Sequence, residues 1–266
     1  MAALSGTARV QLAAILLALL AAAPRPARAD ATPAPTAFDH SVWTELLQTY
    51  VDEDGMVAYR RLEAEAKARR AAYLNRLAEF DPSLLPPKER MAFWLNAYNA
   101  AVVNGILAGQ SPEGVLSRKR FFGWYTIRIA GRDRTLDEIE NAILRKEFHD
   151  PRIHMALVCG ASSCPRLRRE AYVGARLDEQ LDDQARWFVN DPRRNRIDPV
   201  IDQLELSSIF KWFAADFDGE LGVREFVARY ASWPDQAALA RRTAVPVRYL
   251  DYDWTLNAQS GQRPTE

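Results

Sequence analysis

Both cysteines of this chain and one of its three histidines fall inside a single stretch, Ile153–Pro165, read as Ile-His-Met-Ala-Leu-Val-Cys-Gly-Ala-Ser-Ser-Cys-Pro. The thiolate, not the thiol, is the nucleophile, so a catalytic cysteine needs a nearby base and usually a third group to orient that base. The residue types for such a site are present: Cys164 as nucleophile, His154 as base and then acid, and Glu140 as orienting carboxylate, with Asn141 as its substitute. Cys164 is preferred because it lies beyond Gly160, beside Pro165, where the amides of a following helical turn would lower the thiol pKa. Cys159 closes the apolar run and reads as a buried side chain. A tetrahedral oxyanion would be met by a backbone amide beside Cys164, at Ser163, and by the side-chain amides of Asn99 and Asn96.

The same residues admit other chemistry. Two cysteines separated by four residues in an exported chain suit a small disulfide, which is incompatible with a free Cys164 nucleophile unless the bridge is a reversible redox lock. Zinc could take His154, Cys159 and Cys164 with His149 added, but the spacing fits no zinc signature, so no metal and no cofactor is expected. Asp52-Glu53-Asp54-Gly55 opens like a calcium loop, yet Met56 stands where a fifth-position oxygen ligand is required, and a turn is the better reading. A non-catalytic binding module would use an aromatic groove from Trp94, Trp124, Trp187 and Trp212.

The elements that position these groups follow from periodicity and breakers. The apolar run between Pro151 and Gly160 predicts a buried strand that delivers its last side chains into a loop. Amphipathic spacing predicts helices over 38–51, 60–80 and 176–190, with the most apolar helix over 88–107. Amides on that helix, at Asn96, Asn99 and Asn104, each cost about 1–3 kcal/mol if unpaired, so at least two should tie down neighbouring loops. Residues 121–134 predict a hairpin turning near Gly131, and Thr135 with Glu138 forms a capping box for a helix over 136–148. A second hairpin over 196–206 precedes an aromatic-rich helix over 207–217, whose Phe210, Phe213 and Phe217 lie on one side and face the core or wall a groove. Together these give a single α+β domain, with helices packed on a small mainly antiparallel sheet.

The first 29 residues read as a secretory signal peptide, with a basic start, an uncharged apolar core at 10–23 and small residues at the end. The alternative is an uncleaved membrane anchor, for which the uncharged run is short of the roughly 20 residues that span a bilayer. The expected layout is a lead-in over 30–37, one catalytic-type domain over 38–257 and a flexible tail over 258–266, in the periplasm or outside the cell. With 35 basic and 35 acidic residues in the full chain, the balance argues against nucleic acid or an anionic membrane as partner. It leaves a protein partner unspecified.

Several segments, taken in order, resemble the family named domain of unknown function 547: Trp94 to Asn99, Asp137 to Asn141, Arg152 to Pro165, Leu206 to Trp212 and Tyr252 to Trp254. The resemblance runs from about Phe38 to Asn257 and implies a fold related to papain-like cysteine peptidases. The order Glu, His, Cys reverses the papain-like order. The expected function is an exported, cysteine-dependent amide or peptide hydrolase, or acyl transferase, working through a Cys164 thioester on a small peptide or glutathione-like substrate. The alternative is the binding module with a structural disulfide.

Overall fold

The computed structural model describes residues 36–264, so the expected signal peptide lies outside the described residues. Three helices come first: α1 (Ser41–Tyr50), α2 (Tyr59–Glu79) and α3 (Pro87–Leu107). Pro87 starts α3 where a missing N–H costs nothing. From Met91 to Val103 every residue of α3 is buried, so it is the axis around which the first hydrophobic cluster assembles.

After α4 (Val115–Gly123), strands β1 (Thr126–Ile129) and β2 (Arg132–Thr135) pair antiparallel, with Thr126 opposite Thr135. Ala130 and Gly131 both take positive φ, as a two-residue hairpin turn requires. The capping box forms as expected: the Thr135 amide donates to Glu138 at 3.0 Å, and the Glu138 amide donates to Thr135 Oγ1 at 3.1 Å. The helix it starts is wound as a π-helix over Glu138–Leu144 before ending in α5 (Arg145–Phe148).

The strand expected before Gly160 is instead a single helical turn, α6 (Ile153–Ala156), followed by extended chain from Leu157. The Asp150 carboxylate and carbonyl take the Arg152 and Ile153 amides and start that turn. An apolar run alone does not separate a short helix from a strand. Beyond the turn, Asn99 takes the place of a neighbouring strand: its Nδ2 donates to the Ala156 carbonyl at 3.0 Å and its Oδ1 accepts the Val158 amide at 3.0 Å.

The remainder comprises α7 (Leu177–Asn190), β3 (Arg196–Asp198), β4 (Gln203–Ser207), α8 (Ser208–Trp212), α9 (Gly219–Tyr230), α10 (Pro234–Arg241) and β5 (Arg248–Leu250). β3 pairs antiparallel and β5 parallel with β4. The fold is thus a single α+β domain, mostly helical, with two small sheets. The segment expected to form one helix over 207–217 breaks after Trp212, and Ala214–Phe217 is a 3₁₀ turn.

A second hydrophobic cluster gathers Phe188, Phe210, Phe217 and Val227. α6 sits at the seam, since Ile153 and Ala156 belong to the first cluster and Met155 to the second. The tail set down as flexible from 258 is held at its start: the Gln259 amide donates to the Val57 carbonyl, and the Gln262 carbonyl accepts from Arg60. No helix among the described residues is long and apolar enough to cross a membrane.

Candidate active site

A cavity of about 190 Å³ is lined by His154, Cys159, Cys164 and Glu140, together with Tyr98 and Tyr252. The fold therefore brings the three residues expected to be catalytic to one place. Their connections differ from the expected ones.

Cys159 and Cys164 are joined as a disulfide, and Cys164 is buried. The Tyr252 hydroxyl donates to Cys164 Sγ at 3.2 Å and touches Cys159 Sγ at 3.3 Å. Gly160, at φ 84°, turns the chain between the two cysteines, and a Cβ there would lie 2.6 Å from Ile106 Cδ1. The loop is then fixed from outside. The Ser162 and Ser163 amides donate to the carbonyls of Thr255 and Asp253, and Arg194 Nε and Nη2 donate to the carbonyls of Cys164 and Ser162. Arg194 is itself a buried cation paired with buried Asp191, and its guanidinium covers the Trp187 ring.

Three expected oxyanion donors are committed elsewhere. The Ser163 amide goes to Asp253, and its Oγ accepts the Asp253 amide at 2.9 Å. Asn99 serves the extended chain described above. Asn96 brackets Tyr172, accepting its amide at 2.9 Å and donating to its carbonyl at 2.8 Å. Buried amides on an apolar helix satisfy both ends with backbone because leaving either end open costs free energy. No helical turn starts directly after Cys164, where residues 165–173 are non-helical, so the expected helical-turn amides do not act on its sulfur. The donors the structure does place on Cys164 Sγ are the Cys159 amide at 3.0 Å and the Tyr252 hydroxyl at 3.2 Å.

The carboxylate on His154 is Asp216, not Glu140. His154 Nε2 lies 2.7 Å from Asp216 Oδ2, which makes Nδ1 the basic nitrogen. Asp216 is gripped by Arg145, whose Nε and Nη2 donate to its two oxygens at 2.6 and 2.9 Å. The Arg145 hydrogen bond leads in holding the Asp216 carboxyl below its usual range. Phe213 packs on both partners, with its ring 4.0 Å from the His154 ring and the Arg145 guanidinium 5.0 Å from its centroid. Burial pushes the His154 pKa down to about 4, against the opposing pull of Asp216, so the ring is neutral at pH 7.

Glu140 instead accepts the Tyr98 hydroxyl at 3.2 Å. Burial pushes its carboxyl up to about 7. It rises from the π-helical stretch, a winding that recurs at functional sites. Asn141 accepts from Arg145 at 2.7 Å.

The aromatic lining is not the expected quartet. Trp94 is buried, Trp124 is exposed and Trp187 lies under Arg166 and Arg194. Of these four only Trp212 lines the cavity, where it stacks on Trp254, a further lining residue, at 5.7 Å and tilts against Tyr252 at 4.8 Å. The bridged cysteines offer no thiolates to a metal, and no group of three or more potential ligands exists among the described residues. His149 lines a larger cleft of about 700 Å³ that it shares with Asp216. At Asp52 the carboxylate accepts the amides of Asp54 and Met56, which makes a turn.

Asp216 and Tyr252 are the residues that the sequence reading missed in this role. Residues 82–189 match the family described as "Protein of unknown function, DUF547". That span holds Tyr98, Glu140, His154, Cys159 and Cys164, and stops short of Asp216 and Tyr252. No curated protein and no solved structure matches the chain.

Proposed function

Starting from the match of residues 82–189 to the DUF547 family, we propose that the cavity is the site of a thiol-dependent acyl transfer and that the disulfide is its resting form. One observation carries the reading: two sulfurs, a carboxylate-oriented histidine and a buried carboxyl titrating near neutrality meet in one small cavity. Perturbed groups converging in a cleft are a signature of chemistry.

In this reading a dithiol reductant gives two electrons and two protons to the bridge, yielding two thiols and its own disulfide. The Cys164 proton passes to His154 Nδ1, and the sulfur attacks an amide carbonyl carbon. The carbon–nitrogen bond breaks, and the amine leaves with the proton from His154. Water, deprotonated by the same nitrogen, then attacks the thioester carbon, the carbon–sulfur bond breaks, the acid is released and His154 returns the proton to the Cys164 thiolate. Asp216 holds the ring and its tautomer, Arg145 holds Asp216, and the Tyr252 hydroxyl, 3.2 Å from Cys164 Sγ, would donate to the oxyanion. Small peptides and glutathione-like amides are the substrate class, in keeping with an exported chain whose bridge an oxidising compartment maintains.

The test is to incubate the reduced protein with a panel of aminoacyl and γ-glutamyl anilides and to measure anilide release and intact mass. Release accompanied by an acyl adduct on Cys164, absent in Cys164→Ser, is the expected result. No release and no adduct across the panel overturns it.

A second reading is favoured by one observation: Cys164 is only 1% exposed and already bridged. The chain would then be a binding module whose disulfide shapes an aromatic wall of Trp212, Tyr252 and Trp254. Ligand binding that survives His154→Ala and is unchanged by reduction would favour it.

A further inference from the structure

The cavity has a charge requirement that its own residues leave open. Its wall is mainly aromatic and aliphatic, with Phe122, Phe213, Trp212 and Trp254 among its residues, and its charged groups are two carboxylates, Asp137 and Glu140. No lysine or arginine lines it, and among the described residues neither carboxylate makes an ion pair. Among the described residues Glu140 hydrogen-bonds through its side chain only to the Tyr98 hydroxyl, and the Arg145 charge acts on it from a distance without an ion pair. A carboxylate on an apolar wall is costly to desolvate unless an opposite charge accompanies it. Aromatic faces add attraction for the same sign of charge. The rim already shows this preference, since the Arg118 guanidinium lies 3.9 Å from the centroid of the Trp254 ring.

We infer that the ligand of this cavity is a compact organic ammonium ion, with its cation at Asp137 and Glu140 and its apolar part against the Trp212, Phe213 and Trp254 wall. An anionic ligand would meet the Asp137 carboxylate and a Glu140 carboxyl that is ionised above about pH 7. A neutral ligand would desolvate the carboxylates without compensating them. The inference rests on reading this cavity as the functional site and names the substrate class: an amide whose amine or acyl part carries a positive charge.

Calorimetry on the oxidised full chain tests it, because the bridged protein forms no thioester and binding is read apart from turnover. The probes are benzylammonium, benzyl alcohol and benzoate, which share a ring and differ in charge. Benzylammonium should bind at least tenfold more tightly than benzyl alcohol, and benzoate should not bind. Asp137→Asn, at an exposed position, should remove most of that preference, as should Glu140→Gln. Equal affinity for benzylammonium and benzyl alcohol, an unchanged preference in Asp137→Asn and Glu140→Gln, or no saturable heat with benzylammonium, would overturn the inference. A failed anilide screen with preserved ammonium binding would instead count against acyl transfer alone.

Discussion

His154 and Asp216, separated by 62 positions in the chain, face each other at 2.7 Å, and Arg145 closes the carboxylate from behind with two hydrogen bonds. The carboxylate fixes which imidazole nitrogen is basic, so its charge matters more than its shape. Asp216→Asn should leave the fold intact while slowing alkylation of Cys164 in the reduced protein by on the order of tenfold or more at pH 7. Iodoacetamide labelling rates, with circular dichroism as the control, measure this. A rate equal to that of the parent chain would show that the pair is only structural.

Glu140 makes stability depend on pH in an unusual direction. Its carboxyl is raised from 4.5 to about 7 in the folded chain, so between those values the folded state holds a proton that the unfolded state has lost. Stability therefore falls as pH rises through that window. His154, lowered from 6.5 to about 4, does the opposite: its contribution is present above 6.5 and lost as pH falls toward 4. The two partly cancel, so the comparison must be between the parent chain and Glu140→Gln. The variant should gain stability relative to the parent, on the order of 1–3 kcal/mol, as pH rises from 4.5 to 8. Urea unfolding at stepped pH is the measurement, and a pH-independent difference would contradict it.

Gly160 turns the loop between the cysteines at φ 84°, with Ile106 against its missing side chain. Gly160→Ala adds both a strained backbone conformation and a clash with a core residue. A loss of about 1–3 kcal/mol in chemical denaturation is expected, read in the oxidised protein. Gly109 has a similar φ of 83° and nothing within 4 Å, so Gly109→Ala should cost less and serves as the comparison.

Arg194 braces the Cys164 loop from below, and Asp191 is its buried counter-ion. Truncating the cation leaves the Cys164 and Ser162 carbonyls without this donor and the buried Asp191 carboxylate with Arg193 as its remaining cation. Arg194→Leu should destabilise the chain by about 3–5 kcal/mol, and the double variant Arg194→Leu with Asp191→Leu should recover part of it. Equilibrium unfolding of the three variants decides the point.

What was legible in the sequence was what local chemistry decides. The hairpin turn at Gly131 and the Thr135–Glu138 capping box needed only neighbouring residues, and both formed as read. The meeting of His154, Cys164 and Glu140 at one cavity was also legible, because all three belong to adjoining segments. The partner of His154 was not, since Asp216 arrives from a 3₁₀ turn that interrupts what reads as one aromatic helix. That Asn96 and Asn99 tie down neighbouring chain was legible, but not that the segment held by Asn99 is a helical turn with extended chain after it, because an apolar run alone reads as a strand. Cysteine spacing suits both a bridge and a nucleophile with a companion thiol, so it did not choose between them.

The central claim is that Cys164 is a nucleophile activated by His154 once the bridge opens. The most direct measurement is site-resolved iodoacetamide labelling by mass spectrometry, before and after reduction, in the parent chain and in His154→Ala. The account predicts no labelling before reduction, then Cys164 modified much faster than Cys159, with that advantage lost in His154→Ala. Equal and slow labelling of both thiols, unaffected by His154→Ala, would contradict it and leave the bridge as a structural element of a binding cavity.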